Sequence, residues 1–472
     1  MHLVYKTAVQ VLAWIGEDVD NDFDIIKTLV TDKELALDIL MSQSTAEELM
    51  EALCIRFTEL VLRDYWRRLW VVQEIAHAKQ VQVICGSYCL PYAGLVHFCE
   101  EMQSSARSVA TLSHHLATLF YAARQFLNWR PGIELGLSSE GSLNINNLFR
   151  AINQKKCGDP RDKLFGIHSL LPTSLQQRIA IDYSLSAADI FASATQAIIE
   201  NDNVIYIITY MSGGTAAAGE TNDFLKTPAV PSWAANWAGD VLVPISEFVE
   251  GVKANNNVKP FFKFCHRSLE VRGVRLGVTN YVQVTDWQRG DLTEASSRVT
   301  SLVDQSRNLL NNFLKIRPVD KSTYALTSLC GLLRYLNNHE ELSISSSSEK
   351  LLFCEPSGDI RLGGKEDREM GENPSWLRDR AMFLFVPIPS TVDEGRTNTN
   401  IPLSKCIGLG PASIQEGDIV TVLAGCKAPV ILRPIGKNYE VVGDAYIDIF
   451  MDGEAMEGFS GDYDELESFV LC

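Results

Sequence analysis

The chain has 472 residues, 59 acidic against 42 basic, for a formal net charge of -17. That length accommodates two or three domains with sizeable cores, and that charge opposes non-specific attraction to nucleic acid or to an anionic membrane surface. The 11 cysteines are scattered, odd in number and without CxxC pairs, which argues against a disulfide framework and points to a reducing, cytoplasmic setting.

No apolar run reaches the length of a membrane span; Val204-Ile205-Tyr206-Ile207-Ile208 is far too short. Lys6 before the apolar stretch Ala8 to Ile15 has the outline of a secretion signal. Glu17-Asp18-Val19-Asp20 follows without a small-residue cleavage pattern, so no targeting segment is expected.

Met1 to Gln10 has helical character and leads into Val11-Leu12-Ala13-Trp14-Ile15-Gly16, an apolar strand closed by glycine. Helices are expected from about Phe23 to Leu29 and from Thr45 to Leu62, the latter capped by Ser44 or Thr45. From Arg63 to Ala76 the spacing of Leu62, Trp66, Leu69, Gln73 and Ala76 predicts one amphipathic helix with Trp70 at the border of its apolar face. Glu74 lies one turn beyond Trp70, and His77 is its only local pairing partner. Val81 to Cys85 then reads as a strand, joined to Tyr88-Cys89-Leu90 by a tight turn at Gly86-Ser87.

The region from Tyr92 to Asn153 is mainly helical in pattern. Cys85, Cys89, His97 and Cys99 have irregular spacing across strand and helix, so ordinary thiols are expected there rather than zinc ligands. Asp159-Pro160-Arg161-Asp162 is a helix start, with Asp159 accepting from unpaired amides and Pro160 in the first turn. Arg161 has two readings, a tie to a neighbouring element or a planar fork for a phosphate or carboxylate. His168 sits on an apolar face, where a satisfied core histidine is the ordinary outcome.

Ile179 to Tyr183 reads as extended, and Ser186 as the cap of a helix running to about Glu200. Pro231-Ser232-Trp233 with Asn236-Trp237 forms an aromatic loop expected to seal the first half of the chain, with a soft boundary near Asp240. Strands are predicted at Phe261 to Phe264, Ser268 to Val274, Tyr281 to Val284, Met382 to Val386, Ile419 to Leu423, Val430 to Leu432, Tyr439 to Val442 and Ala445 to Ile449. Together they suggest a compact antiparallel sheet or partial barrel. Helices are expected at Ser296 to Leu314 and Thr323 to Asn337, with a low-complexity loop at Ser343 to Ser348. Gly408-Leu409-Gly410-Pro411 reads as a turn, and the acidic stretch Asp452 to Glu467 as a solvated extension. The sequence holds no Walker loop, dinucleotide glycine fingerprint, HExxH pair or Gly-x-Ser-x-Gly elbow.

The run Tyr65-Trp66-Arg67-Arg68-Leu69-Trp70-Val71-Val72-Gln73-Glu74 resembles the end of the fungal heterokaryon incompatibility (HET) domain, whose signature there is W-x-R-x-W-x-x-Q-E. Leu3 to Ala8 with Val11 to Gly16, Asp159 to Gly166, Pro231-Ser232-Trp233, Gly417-Asp418, Pro429 to Pro434, Gly443 to Tyr446 and Met451 to Glu454 agree with proteins of that family, in the expected order. Upstream family patterns, L-S-Y-x-W-G and L-W-I-D-x-x-C-I-N-Q, have no counterpart before Leu3.

The resemblance implies a truncated TIR-like, Rossmann-like α/β module at residues 1–86, a mainly helical extension at 87–240 and an antiparallel β-rich domain with a helical insertion at 241–472. It also implies a setting in non-self recognition and programmed cell death, with a protein partner or self-association. HET domains are remotely similar to Toll/interleukin-1 receptor (TIR) domains, some of which cleave the nicotinamide-ribose bond of NAD. By that analogy Glu74 is the catalytic candidate, Trp70 and Arg67 the cofactor-binding ones, and NAD the substrate. A carboxylate suits such chemistry because it can orient ribose hydroxyls and stabilise developing positive charge. With the upstream strands unmatched, an intact catalytic site is not the primary expectation, and Glu74 has the alternative of a capping or packing-edge role.

Overall fold

The computed structural model describes residues 2–18, 60, 63–97, 149, 152, 155–210, 230–235, 237–238, 244–247, 251–284, 352–354, 360–362, 380–388 and 406–472. These fall into two compact units, one formed by the described residues through Tyr183 and the other by those from Ser184 on. The helices expected at Phe23 to Leu29, Ser296 to Leu314 and Thr323 to Asn337, most of those at Thr45 to Leu62 and Tyr92 to Asn153, and the loop at Ser343 to Ser348 lie outside the described residues.

The first unit opens with helix α1 (His2–Thr7) and strand β1 (Val11–Trp14). Strand β2 (Val81–Cys85) pairs with β1 in parallel and with β3 (Tyr88–Pro91) antiparallel across the predicted hairpin, where Gly86 takes a φ of 54°. Alternation sets which face is covered. Val11 and Ala13 are buried, whereas Leu12 and Trp14 face solvent.

The helix predicted from Arg63 to Ala76 is two short ones, α2 (Asp64–Arg67) and α3 (Val71–Ala76). Arg68 is extended between them, with φ -73° and ψ 133°, because a distant segment takes over its hydrogen bonding. Arg68 forms a parallel bridge with Lys156, in which the Leu69 amide donates to the Lys156 carbonyl at 2.9 Å and the Lys156 amide to the Arg67 carbonyl. The apolar face survives the break, for Trp66, Leu69, Gln73 and Ala76 are all buried. Burying each large apolar side chain of this face contributes roughly 1.5–3 kcal/mol.

Helices α4 (Asp162–Phe165) and α5 (Thr173–Arg178) complete the unit. Ile179 is extended, with φ -96° and ψ 99°, and residues 180–185 after it belong to no strand or helix.

The second unit begins with α6 (Ala187–Asp202), whose start is capped as expected, the Ser186 hydroxyl accepting from the Asp189 amide at 3.1 Å. The described strands are β4 (Phe262–Cys265), β5 (Ser268–Val284), β6 (Leu352–Cys354), β7 (Ile360–Leu362), β8 (Arg380–Pro387), β9 (Cys406–Pro411), β10 (Ile419–Leu423), β11 (Val430–Ile435), β12 (Asn438–Asp444) and β13 (Glu467–Leu471). The two strands predicted at Ser268 to Val274 and Tyr281 to Val284 are one long strand, β5. Because β10 pairs with both β11 and β5, the order β5-β10-β11-β12-β13 closes on itself, and β8 and β9 extend the sheet from β5. Every described pairing in it is antiparallel except β12 with β13. Closure of this kind leaves no exposed sheet edge along the ring.

Three expectations for this unit are corrected. Gly408 to Pro411 belongs to β9, and its glycines admit the ring of Phe383; a Cβ on Gly408 would stand 2.3 Å from that ring. The acidic stretch is no loose extension, since Met456 and Leu466 are buried among its exposed carboxylates, and Phe469 and Leu471 just beyond it are buried in β13. Ala445 to Ile449 is not a strand; Tyr446 makes a single antiparallel bridge to Leu409, and a 3-10 turn follows.

The aromatic loop also lies elsewhere than expected, because it is bonded into the barrel. The Trp233 indole donates to the Arg267 carbonyl at 2.9 Å, the Ser232 amide to the Cys472 carbonyl at 2.7 Å, and the Val441 amide to the Ser232 hydroxyl at 2.9 Å. Both Trp233 and Trp237 are buried.

Candidate functional site

The signature segment is assembled against the Asp159 to Gly166 motif, so two stretches some ninety residues apart form one structure. Gln73, buried in α3, donates to the Phe165 carbonyl at 3.2 Å. Gly166 permits this close approach, since a Cβ there would meet Leu69 at 2.9 Å. One turn further on, His77 Nε2 and the Ser169 hydroxyl are 2.8 Å apart. His77 is thereby turned away from the role of partner to Glu74.

Glu74 is half-buried on α3 and held by phenols instead. The Tyr65 hydroxyl donates to Glu74 Oε2 at 2.9 Å. Burial raises the Tyr65 pKa well above its ordinary value, and the charge of Glu74 and the hydrogen bond to it add to the effect. Tyr5 of α1 is shifted up in the same way, by burial first and then by Glu74, while Arg68 opposes both shifts. A carboxylate beside a phenol disfavours phenolate, so both tyrosines stay protonated donors at neutral pH. Trp70 is half-buried and Arg67 exposed, and the Arg67 side chain makes no hydrogen bond or ion pair with any described residue. The structure therefore places Glu74, Trp70 and Arg67 on one short stretch and adds Tyr5, Tyr65 and Arg68 to it.

A second group lies beneath the signature. The Lys155 ammonium donates to the Trp66 carbonyl at 2.7 Å, and the Lys163 ammonium to the carbonyls of Ile152 and Lys155 at 2.8 and 2.6 Å. Lys155 is half-buried as a residue, but its ammonium is removed from water and feels the charge of Lys163. Desolvation, then the like charge of Lys163, lowers its pKa to about 8. Lys163, buried as a residue, is lowered by desolvation too.

Arg161 takes the first of its two readings. Its guanidinium forks onto Asp159, Nε to Oδ1 at 2.9 Å and Nη2 to Oδ2 at 2.6 Å, donates to the Tyr183 carbonyl, and lies over the Tyr183 ring at 5.2 Å. The Asp159 carboxyl is held below the usual carboxylate range chiefly by that contact. His168 Nε2 lies 2.8 Å from the Ile179 carbonyl and 3.1 Å from that of Gln176, a satisfied, half-buried position. Cys85 is buried and receives Arg63 Nη1 at 3.0 Å, while Cys89 is exposed; Cys99 lies outside the described residues. Among the described residues no three His, Cys, Asp or Glu side chains gather as a metal site, and no helix is long and apolar enough to cross a membrane.

The C-terminal motifs have structural work of their own. Arg433 forks onto the buried Asp418, Nε to Oδ1 and Nη2 to Oδ2 both at 2.9 Å. Arg380 and Asp444 form an ion pair at 3.0 Å in which both side chains are fully buried.

Residues 400–464, which supply β9 to β12 of this barrel, match the family described as the Het-6 beta-barrel domain. The whole chain is also 22% identical, over 557 residues, to heterokaryon incompatibility protein 6, OR allele, of Neurospora crassa, with 100% of this chain and 79% of that protein covered. Along its whole length the chain is thus similar to a fungal heterokaryon incompatibility protein. No solved structure matches it at comparable significance.

In the signature segment, Trp66, Leu69 and Gln73 are buried, with Gln73 bonded to Phe165 and Leu69 packed close to Gly166. Tyr5, Lys155 and Lys163 carried no local signal, because their roles depend on contacts across the chain; Tyr65 stands nine positions before Glu74, outside the one-turn spacing by which helix partners are read.

Proposed function

We propose that this protein acts in non-self recognition, where encounter with an incompatible partner triggers growth arrest and programmed cell death, and that it signals from the cytoplasm through protein assembly rather than turnover of a substrate. The domain scheme that goes with this reading has a TIR-like α/β module at 1–86, a mainly helical extension at 87–240 and the β-rich domain at 241–472. The single observation that carries the non-enzymatic choice is the engagement of Glu74. Its carboxylate accepts from Tyr65 and lies against Tyr5, so it ties α1 and α2 to α3. A carboxylate that serves packing needs no open cleft beside it.

The test is inducible expression of the full chain in a fungal host, scoring growth and vital-dye uptake. Arrest by the wild type that persists in a folded Glu74→Gln variant is the expected outcome. Absence of arrest by the wild type in any partner background overturns the reading.

A second reading is a TIR-like NAD glycohydrolase, favoured by the partial exposure of Glu74 beside half-buried Trp70 and exposed Arg67. Purified protein that consumes NAD, with the activity abolished in Glu74→Gln, would establish it in place of the first.

A further inference from the structure

Arg67 and Arg68 end α2, and the parallel bridge locks Lys156 beside Arg68. The two chain segments are joined at backbone level, by the Leu69 amide to Lys156 and the Lys156 amide to Arg67, so the three cationic residues are held as neighbours in fixed backbone register, a basic ridge. All three side chains are exposed, and little in the described residues neutralises them. Arg67 makes no ion pair, Arg68 leans toward the Tyr65 ring at 6.0 Å, and Lys156 approaches Asp64 at 4.0 Å, with both partners more than half exposed. A surface pair of that kind is weak and leaves Lys156 available. In a chain of net charge -17 such a ridge does not serve solubility.

The same chain carries the complementary surface. Between residues 452 and 465 the backbone is shaped by 3-10 turns at Glu454–Met456 and Tyr463–Glu465, with Gly453 at φ 104°. Ser460 donates to Glu465 at 2.8 Å and the Tyr463 hydroxyl to the Lys259 carbonyl at 2.9 Å. Buried Met456 and Leu466 anchor the stretch, leaving Asp452, Glu457, Asp462, Asp464 and Glu465 exposed on an ordered surface. Arg272 meets Asp464 only at 3.8 Å.

Resting on the assembly reading above, we propose that Arg67, Arg68 and Lys156 form a docking ridge for the acidic face of a second copy of this chain, centred on Asp452, Glu457 and Asp462. Ridge and face belong to different segments of one polypeptide, so the ridge of one copy meets the face of another and the contact is heterologous. Fixed arginines facing carboxylates also give forked, oriented hydrogen bonds. An attraction built on exposed charges weakens steeply with salt.

Sedimentation velocity of the full chain over a range of concentrations tests it. At low ionic strength the mean mass rises with concentration, and high salt reverses the rise. Arg67→Glu with Lys156→Glu weakens association by at least about tenfold. Mixing that variant with a copy carrying Asp452→Lys, Glu457→Lys and Asp462→Lys restores pairing between the two, which neither forms alone. Arg67→Gln with Lys156→Gln, which adds no new charge, gives an intermediate loss and guards against misfolding of the reversal. A wild type that stays monomeric, association indifferent to ridge reversal, or failure of the swapped pair to associate each overturns the proposal. Growth arrest is scored separately: arrest by a strictly monomeric wild type removes both ridge and assembly reading, whereas association without arrest removes only the latter.

Discussion

The hydroxyl of Tyr65 reaches across from α2 to the carboxylate of Glu74 on α3, 2.9 Å away, and spans the break where Arg68 leaves helical geometry. The pair fastens two helices that the backbone alone does not keep continuous. A hydrogen bond to a charged group contributes about 1.5–3 kcal/mol when it is lost from a partly buried site. Tyr65→Phe is therefore expected to destabilise the first unit by ~1–2 kcal/mol, read as a lowered denaturation midpoint. An unchanged midpoint would remove the clasp from the account of Glu74.

The charge state of Lys155 makes the first unit's stability pH-dependent. Its folded pKa, about 8, lies below the unfolded value of 10.5, so between those limits the unfolded chain binds more protons than the folded one. Stability contributed by this group rises as pH rises through that window, and the cost of burying its charge is fully present below it. Tyr65 acts in the opposite sense, since its raised pKa gives stability that is present below its unfolded value of 10.0 and lost above it. Denaturant titrations from neutral pH to just below that value should show the rise in wild type and a flatter profile in Lys155→Met. A slope that Lys155→Met leaves intact would assign it to another group.

Inside the barrel, Arg380 and Asp444 are an ion pair with both side chains out of contact with water, and Asp444 also accepts the Ile245 amide. Removing one partner strands the other, at a cost of roughly 3–5 kcal/mol, whereas replacing both with apolar groups of similar size is far milder. Arg380→Met alone should abolish soluble expression or lower the melting temperature sharply. Arg380→Met with Asp444→Leu should recover most of the loss, and a double variant as unstable as the single would contradict this.

Gly408 and Gly410 offer a graded packing test. A Cβ at Gly408 falls 2.3 Å from the Phe383 ring, whereas one at Gly410 falls 3.2 Å from it. Overpacking a filled core costs about 1–3 kcal/mol. Gly408→Ala should show that loss in thermal melting and Gly410→Ala much less, and Phe383→Leu should relieve the Gly408→Ala defect. Equal effects at the two glycines would mean that the ring is free to move aside.

Much of the local structure could be read from residue order. Short apolar runs bounded by turn residues marked β1, β2, β10 and β11, and Gly86 marked the hairpin, because turn chemistry and backbone sterics act over a few residues. Helical spacing likewise identified the face bearing Trp66, Leu69, Gln73 and Ala76, although the helix itself is broken. The family resemblance rested on such short runs, and the similarity of the whole chain to a heterokaryon incompatibility protein agrees with it. His168 and Arg161 also took the plainer of their alternatives.

What residue order left open were relations between residues far apart in the chain, and the fold decided them. Lys156 interrupts the signature helix because its backbone competes for the Arg67 and Leu69 groups, and nothing near Arg68 announces a partner so distant. Glu74 meets Tyr5 and Tyr65 rather than His77, since packing on Ser169 turns the histidine away. The acidic C-terminal stretch has the composition of a solvated tail, yet β13 closes the barrel. Composition counts charges, while burial depends on where Phe469 and Leu471 fall against β5, and only the assembled sheet sets that register.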